Sequence, residues 1–266
     1  FLKKQKISII IHLAAQAGVR HSLKKPMDYV KNNIVATTNL MEAARKYNKI
    51  RHFLLASTSS VYASSIKMPF NEKDPADFPL QFYAATKRST ELMAHSYSHL
   101  YGLPFTILRF FTVYGPYGRP DMALFKFTKN ILNNKKIDVY NNGKHVRDFT
   151  YVSDIATSIK KLLNKIPQVN ERFNLDKSLS HNSKAKIRVL NIGNGDPREL
   201  EDYISKIEKY TNKNAKKNYL PFQIGDALKT SANTSKLKKL IKISPKITID
   251  EGIKKFVKWY IDFYKF

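Results

Sequence analysis

The chain has 266 residues, of which 42% are hydrophobic, and this composition predicts a globular protein with one large core or a large domain beside a smaller one. It contains no cysteine, which excludes disulfides, thiolate metal sites and thiol catalysis, so any nucleophile or base must be oxygen or nitrogen. The formal net charge of +26 would suit a nucleic-acid binder, but the lysines are spread along the chain, and we expect no nucleic-acid partner.

The predicted elements of the first half alternate between strands and helices. Short apolar runs rich in β-branched and aromatic residues predict strands at 7–11, 52–56 and 105–111. Apolar residues near helical spacing predict helices at 27–47 and 83–101. Because buried strands that alternate with helices form parallel sheets, we predict a doubly wound parallel α/β sheet.

The second half has a looser pattern, with Gly- and Pro-bearing loops after residue 115 and a polar surface excursion at 164–186. The elements predicted there are helices near 121–133, 197–211 and 250–264 and strands at 137–140 and 187–192. They predict a smaller C-terminal α/β domain packed beside the sheet.

Signals for membrane insertion and export are not found in the sequence. It has no run of about 18 apolar residues, and residues 1–6 lack the apolar stretch and cleavage site of a signal peptide. We therefore expect a cytoplasmic protein without a membrane span.

Tyr83 and Lys87 carry the strongest chemical signal. Their four-residue spacing places both side chains on one face of the predicted helix. A tyrosine, with an unperturbed pKa of about 10, is a poor base near neutrality unless a nearby cation such as the Lys87 ammonium stabilises the phenolate. The same spacing arises by chance in many chains, so the pair alone does not identify a site.

A cluster of hydroxyl residues at 57–60 directly follows the strand 52–56. It lies at the carboxyl end of that strand, where open α/β sheets bind their ligands. Hydroxyls there can bind a substrate oxygen and help to move its proton, although Ser and Thr also form turns and helix caps. Together with Tyr83 and Lys87, the cluster favours a catalytic site.

Five segments carry a resemblance to a known family. They are HLAAQAGVR at 12–20, YAATK at 83–87, LRFFTVYGP at 108–116, GRPDMA at 118–123 and RDFTYV at 147–152. On these segments the chain resembles the extended short-chain dehydrogenase/reductase family, and within it the UDP-glucuronate 4-epimerases. The resemblance implies a Rossmann-type sheet, NAD as cofactor, a UDP-sugar substrate and a homodimer.

The resemblance also implies a role for each matching position. Tyr83 would be the catalytic base, Lys87 would hold the nicotinamide ribose and tune Tyr83, and Thr58 would assist at the substrate hydroxyl. The other residues implied to line the NAD site are Ala14, Ala15, Gln16, Asn32 and Phe111. The residues implied to hold the nucleotide sugar are Ser59, Ser60, Thr112, Arg119, Lys126, Tyr140 and Arg147. No metal site is expected.

The implied reaction is epimerisation at C4 through a 4-keto sugar. Related sugar 4,6-dehydratases carry Asp-Glu at the positions of Ser59 and Ser60, and related decarboxylases keep Glu at the position of Ser60, so both reactions are disfavoured. Arg119, suited to bind a C6 carboxylate, and Thr112 favour conversion of UDP-glucuronate to UDP-galacturonate. The main alternative substrate pair is UDP-glucose and UDP-galactose.

The resemblance further predicts two domains. The NAD-binding domain would comprise 1–113 and about 146–163, and the substrate domain about 114–145 and 164–266. The family begins with a strand, a glycine-rich turn and a helix that binds the NAD pyrophosphate, and no such segment precedes residue 12. We therefore expect a sheet that lacks its first βαβ unit, and an inactive, truncated nucleotide-sugar-binding fragment is a second alternative.

Overall fold

The computed structural model of the chain describes residues 1–62, 67–171, 173, 183–223 and 225–266. Its strands are Ile9–His12 (β1), His52–Thr58 (β2), Phe105–Phe110 (β3), Thr112–Tyr114 (β4), Lys136–Tyr140 (β5), Val146–Tyr151 (β6), Ile187–Ile192 (β7), Pro197–Glu199 (β8) and Lys216–Leu220 (β9). Its α-helices are Val19–Lys24 (α1), Pro26–Tyr29 (α2), Ala36–Tyr47 (α3), Phe82–Tyr101 (α4), Ala123–Leu132 (α5), Val152–Leu162 (α6), Leu200–Thr211 (α7), Ser235–Ile241 (α8) and Ile249–Tyr264 (α9). Among the helices of these described ranges, none combines the length and the apolar character needed to cross a membrane.

The main sheet consists of four parallel strands in the order β1-β2-β3-β7. All seven residues of β2 are buried, as expected of a central strand covered on both faces. Met41 of α3 packs on one face with Phe53 and Phe105, while Ile159 of α6 packs on the other face with Leu54. Helices on both faces confirm the predicted doubly wound, Rossmann-type α/β fold.

A second core lies beside the main sheet and is largely aromatic. It joins α5, α7 and α9 to the small sheet β4-β6-β8 and to the parallel pair β5-β9. Phe149 of β6 stacks on Tyr203 of α7 at a centroid distance of 4.1 Å, and Phe125 of α5 meets Tyr260 of α9 edge-on at 5.0 Å. Because β4 begins two residues after β3 ends, the small sheet lies next to the carboxyl-terminal end of β3.

The strand at 187–192 has a different place from the one expected. The sequence assigned it to the C-terminal domain, whereas β7 pairs with β3 in the main sheet from Phe105↔Ile187 to Phe110↔Ile192. The reason is that the apolar pattern of a strand does not show which strand it pairs with. That pairing depends on residues distant in sequence. The division into two domains stays a prediction, with β7 in the main sheet.

The helix expected at 27–47 is continuous but not uniform. Residues 30–35 form a π-helical turn between α2 and α3, and its Asn33 is fully buried. The expected polar excursion at 164–186 falls in large part on residues 172 and 174–182, which lie outside the described residues.

Candidate active site

Thr58 and Tyr83 meet at the carboxyl-terminal edge of the main sheet. Thr58 is the last residue of β2, and Tyr83 lies in the first turn of α4. Burial raises the pKa of Tyr83, while a hydrogen bond with the Thr58 side chain and the charge of Arg119 lower it. These three side chains therefore act as one unit at the edge where open α/β sheets bind ligands.

Lys87 lies one helical turn after Tyr83 and is only 2% exposed. Burial lowers the pKa of its ammonium to about 8, and the charge of Glu91 opposes this shift. Among the described residues, no hydrogen-bond partner contributes to the pKa of the Lys87 ammonium. Lys87 is thus a buried cation that still has donors available for a ligand.

From the sequence, Lys87 was predicted to stabilise the Tyr83 phenolate. In the structure, Thr58 and Arg119 lower the pKa of Tyr83, and the Lys87 charge acts instead on His12, whose pKa is lowered by burial and by that charge. Tyr83 and Lys87 lie on one helix, as predicted. The positive charge that acts on the phenol, however, belongs to Arg119, which lies in a loop distant in sequence.

Ser59 and Ser60 continue from Thr58 into a short 3-10 turn. The Ser60 N–H donates to Thr58 Oγ1 at 3.2 Å, and the Thr58 hydroxyl lies 3.2 Å from Ser60 Oγ. Both serines are partly exposed and neither carries a carboxylate. These two positions can therefore hydrogen-bond a substrate, but they cannot supply the acid and base of an elimination.

Arg119 and Thr112 line the same narrow cavity. The Arg119 guanidinium holds Asp121 in a two-point ion pair, with Nε–Oδ1 at 2.9 Å and Nη2–Oδ2 at 2.6 Å. Its hydrogen bonds lower the pKa of Asp121, and the charge of Lys126, exposed on α5, contributes to that effect. Arg119 thus binds a carboxylate in the planar geometry that suits a guanidinium, within electrostatic reach of Tyr83.

Tyr140 and Arg147 belong to a second group, the arginine cluster, which consists of Arg20, Tyr140, Arg147 and Asp226. Tyr140 ends β5, and the guanidinium carbon of Arg20 lies 4.6 Å from its ring centroid. Arg20 also approaches Asp226, with Nη2–Oδ2 at 3.6 Å. Gln81, which precedes α4, donates a side-chain hydrogen bond to the carbonyl of Gly225, next to Asp226, so the cluster is tied to the segment that leads into Tyr83.

The family model for the NAD dependent epimerase/dehydratase family matches residues 1–176. A curated relative from Rhizobium meliloti, a probable UDP-glucuronate 4-epimerase, is 47% identical over 97% of this chain and 75% of its own length. The chain belongs to the NAD dependent epimerase/dehydratase family. The catalytic roles of Thr58, Tyr83 and Lys87 stay predictions.

Two solved structures of sugar epimerases are similar to this chain. UDP-glucuronic acid 4-epimerase from Bacillus cereus, in complex with UDP-glucuronic acid and NAD, is 34% identical, with a TM-score of 0.85 over 98% of this chain and 77% of that chain. UDP-glucose 4-epimerase from Thermotoga maritima, with UDP-glucose, is 26% identical, with a TM-score of 0.86 over 99% of this chain and 80% of that chain. The chain thus spans between three quarters and four fifths of the length of these three relatives.

The residues expected to line the NAD site of this family are only partly brought together. Ala14 and Ala15 are exposed directly after β1, and the Gln16 N–H donates to Asn33 Oδ1 at 2.8 Å. Asn32 is exposed and donates to a carbonyl of its own helix, so its role toward NAD stays a prediction. The neighbouring Asn33, which the sequence analysis did not single out, holds the loop.

Phe111 and Lys87 lie on the inner side of the site. Phe111 is 4% exposed and packs near Phe70 at a centroid distance of 6.3 Å, so it forms part of the wall rather than a free contact surface. The Lys87 ammonium, buried with unused donors, fits a group that offers hydroxyl acceptors, as the ribose of NAD does. Within the described residues, no group of three or more His, Asp and Glu could hold a metal ion.

A buried ion pair behind the site was also missed by the sequence analysis. The carboxylate of Glu91, one turn after Lys87, accepts two bonds from Arg109, Nε–Oε1 at 2.9 Å and Nη2–Oε2 at 2.7 Å. It also accepts from the Ser57 hydroxyl at 2.5 Å. Glu91 therefore connects α4 to the ends of β2 and β3. Its spacing of four residues from Lys87 places Glu91 on the same face of α4, but nothing in the sequence pairs it with Arg109.

Proposed function

We propose that this chain catalyses the NAD-dependent epimerisation of a UDP-sugar at C4, converting UDP-glucuronate to UDP-galacturonate. Support comes from the family, from relatives named as UDP-glucuronate 4-epimerases and from the combined site of Thr58, Tyr83 and Lys87. The enzyme is then an isomerase, because the cofactor returns to its starting oxidation state within each turnover.

In this mechanism Tyr83 accepts the proton of the C4 hydroxyl and later returns it to C4 oxygen. Thr58 hydrogen-bonds the phenol and Arg119 places a positive charge near it, and both offset part of the pKa increase that burial causes. Lys87 holds the nicotinamide ribose. Bound NAD supplies the acceptor and donor of the C4 hydride. Ser59 and Ser60 contact the sugar without removing its C5 proton.

The observation that favours the glucuronate substrate is the position of Arg119. Its guanidinium already makes a two-point pair with a carboxylate, that of Asp121, and its charge reaches the catalytic phenol. A sugar whose C4 hydroxyl is at Tyr83 carries its C6 group only two carbons away. We infer that the C6 carboxylate replaces Asp121 on Arg119.

A UDP-glucose/UDP-galactose 4-epimerase is the second candidate activity. Its support is the Thermotoga maritima structure, whose TM-score is as high as that of the glucuronate enzyme. Arg119 would then have no substrate carboxylate to bind and would keep Asp121. An inactive nucleotide-sugar-binding protein is the third reading, and turnover in the purified protein would exclude it.

The experiment is an NMR assay of the purified protein with NAD and either UDP-glucuronate or UDP-glucose. We expect UDP-galacturonate from the wild type and a loss of at least about 100-fold in kcat for Tyr83→Phe, which removes the group that moves the proton. Tyr97→Phe is the matched control, because Tyr97 lies on the same helix and its hydroxyl binds Glu42 away from the site.

Arg119→Gln separates the two substrates. For a glucuronate enzyme, this change raises KM for UDP-glucuronate much more than KM for UDP-glucose. Turnover of UDP-glucose alone by the wild type would refute the substrate assignment, and release of CO2 from UDP-glucuronate would refute the reaction. Equal activity of Tyr83→Phe and Tyr97→Phe would remove Tyr83 from the mechanism.

We also infer that the enzyme is a homodimer and acts in the cytoplasm. Support for the dimer is the surface of α4, where Leu92 and Leu100 are 55% and 66% exposed and lie eight residues apart on one helical face. The cytoplasmic location is part of this proposal and is checked by cell fractionation.

A further inference from the structure

Arg20 bridges parts of the chain that are far apart in sequence. It belongs to α1, which follows the loop after β1, whereas Tyr140 ends β5 and Asp226 lies beyond β9. Its guanidinium covers the Tyr140 ring at 4.6 Å and its Nη2 lies 3.6 Å from the Asp226 carboxylate. The Arg20 side chain is nevertheless 52% exposed, so these two contacts hold it without enclosing it.

Arg147, the other cation of the arginine cluster, is held differently. It is partly buried, and its Nη1 donates to the carbonyls of Val146 at 3.0 Å and Leu228 at 2.9 Å, while Nη2 donates to Ala227 at 2.6 Å. Because these bonds fix the guanidinium to backbone, Arg147 is a stationary positive charge. Arg20 is the cation of the cluster that can move.

The arrangement of Arg20 on Tyr140 excludes a stacked base on that face of the ring. A cation plane and a ring separated by 4.6 Å are in direct contact, so no aromatic ring fits between them. A nucleobase can stack on this face of Tyr140 only after Arg20 leaves. The same movement takes Arg20 away from the single negative charge of Asp226.

We propose that Arg20 is a further substrate-binding residue, which leaves Tyr140 and Asp226 when a nucleoside diphosphate binds and then pairs with its phosphates. The inference rests on the proposed function, since it takes the ligand to be a UDP-sugar. A diphosphate carries more charge than one carboxylate and offers several acceptors to the planar donors of a guanidinium. The exchange is therefore favourable, and it couples recognition of the base to recognition of the phosphates.

Neighbouring charges support a diphosphate at this position. The pKa of His145 is lowered by burial and then by the charge of Arg147, with a further contribution from Arg20, and Asp226 opposes these effects. Two arginines therefore act on one small region in which Asp226 is the opposing charge. An incoming dianion would find positive charge from both.

The test is calorimetric binding of UDP and of uridine to the wild type, Arg20→Gln, Arg20→Lys and Arg51→Gln. Arg51→Gln removes the same charge from an exposed position at the amino end of β2, and it is the matched control. We expect Arg20→Gln to weaken UDP binding at least tenfold and to leave uridine binding unchanged or stronger, because the Tyr140 ring is uncovered. Arg20→Lys should restore part of the UDP affinity, and Arg51→Gln should bind as the wild type does.

Kinetics give a second readout. Arg20→Gln should raise KM with little change in kcat, as expected when a uniform binding contact is lost. UDP affinity within twofold of the wild type, or an equal loss for UDP and uridine, would overturn the role of Arg20. Wild-type protein that binds UDP but does not epimerise it would refute the proposed function and leave the role of Arg20 to the Arg20→Gln comparison. Wild-type protein that binds no UDP would refute both.

Discussion

At the scale of single residues, the buried ammonium of Lys87 is proposed to serve catalysis, but its burial destabilises the folded protein. Burial lowers its pKa from an ordinary value of 10.5 to about 8, which corresponds to about 3 kcal/mol of destabilisation of the charged form. The unfolded chain therefore binds this proton more tightly than the folded protein does. The free energy of unfolding consequently rises with pH between about 8 and 10.5.

Lys87→Met should therefore stabilise the cofactor-free protein while it abolishes turnover. We expect the free energy of unfolding at pH 7 to increase by up to about 3 kcal/mol, and the rise above pH 8 to disappear. Urea unfolding at pH 7 and pH 9.5 measures both effects. Lys258→Met, at an exposed position, is the control and should change neither. A less stable Lys87→Met protein would show that the ammonium is satisfied within the chain.

Glu91 represents the opposite case, a buried charge with a full set of partners. Burial alone would raise the pKa of Glu91, but the charge and hydrogen bonds of Arg109 and the bond from Ser57 hold it below its ordinary value of 4.5. The carboxylate is thus more firmly ionised in the folded protein than in the unfolded chain. Its stabilisation is present above pH 4.5 and is lost as the pH falls through the lowered folded-state pKa.

Glu91→Gln should cost about 3 to 5 kcal/mol of unfolding free energy at pH 7, because it leaves Arg109 buried without its charge partner. Denaturant unfolding measures the loss. Adding Arg109→Met to Glu91→Gln should recover part of it, since the unpaired charge is removed. Glu42→Gln, which breaks a surface pair with Arg45, should have a much smaller effect. Equal losses at the two sites would contradict a special role for the buried pair.

At the scale of secondary-structure elements, Asn33 ties the π-helical turn to two other parts of the site. Its Oδ1 accepts from the Gln16 N–H, and its Nδ2 donates to the Gln16 carbonyl at 3.1 Å and to Thr86 Oγ1 at 3.0 Å. The loop after β1 and the helix α4, which carries Tyr83 and Lys87, are therefore positioned through one buried amide. The neighbouring Asn32 has no comparable contact with either.

Asn33→Ala and Asn32→Ala form a matched pair on this turn. We expect Asn33→Ala to lower the free energy of unfolding by about 1 to 3 kcal/mol, because it removes the partner of the partly buried Gln16 backbone groups and of the buried Thr86 hydroxyl. It should also weaken NAD binding by disordering the loop. Asn32→Ala should leave stability unchanged and weaken NAD binding only if Asn32 contacts the cofactor. Thermal unfolding and NAD titration distinguish these outcomes, and an unchanged Asn33→Ala protein would contradict the positioning role.

Elements with a strong local pattern were predictable from the sequence. The strands at 52–58 and 105–110 and the helix at 82–101 lie within a few residues of their predicted limits, because their apolar spacing is a local property. The place of β7 was not predictable, since its pairing with β3 joins residues about 80 positions apart. The same limitation hid β4, β6 and β8, which are short and depend on one another.

The site divides in the same way. Thr58, Tyr83 and Lys87 could be proposed from the sequence because a motif and a strand end point to the same sheet edge. The pair of Glu91 and Arg109 could not, because its two members come from different elements and their meeting depends on the fold. The sequence also does not show that burial disfavours ionisation of the Tyr83 phenol. The direction of its pKa shift could therefore be read only from the structure.

At the scale of the whole molecule, the exposed face of α4 is the surface through which we expect two copies to associate. The inner face of α4 packs on the main sheet and carries Lys87 and Glu91, whereas Leu92 and Leu100 lie on the outer face. Two such helices that pack against each other would bury the four leucines of a dimer and leave Lys87 and Glu91 of each copy turned inward. In the proposed dimer, the interface and the candidate site would therefore use different faces of one helix.

The double variant Leu92→Glu/Leu100→Glu should therefore be monomeric, because it places four carboxylates into the shared interface. Light scattering after size-exclusion chromatography gives the mass, and we expect the wild type and a control, Leu23→Glu/Leu228→Glu, to remain dimers, since both control leucines are exposed outside α4. UDP binding by the monomer should stay within a fewfold of the wild type, because the arginine cluster lies on other elements. A wild type that elutes as a monomer would refute the dimer, and a dimeric double variant would place the interface on another surface.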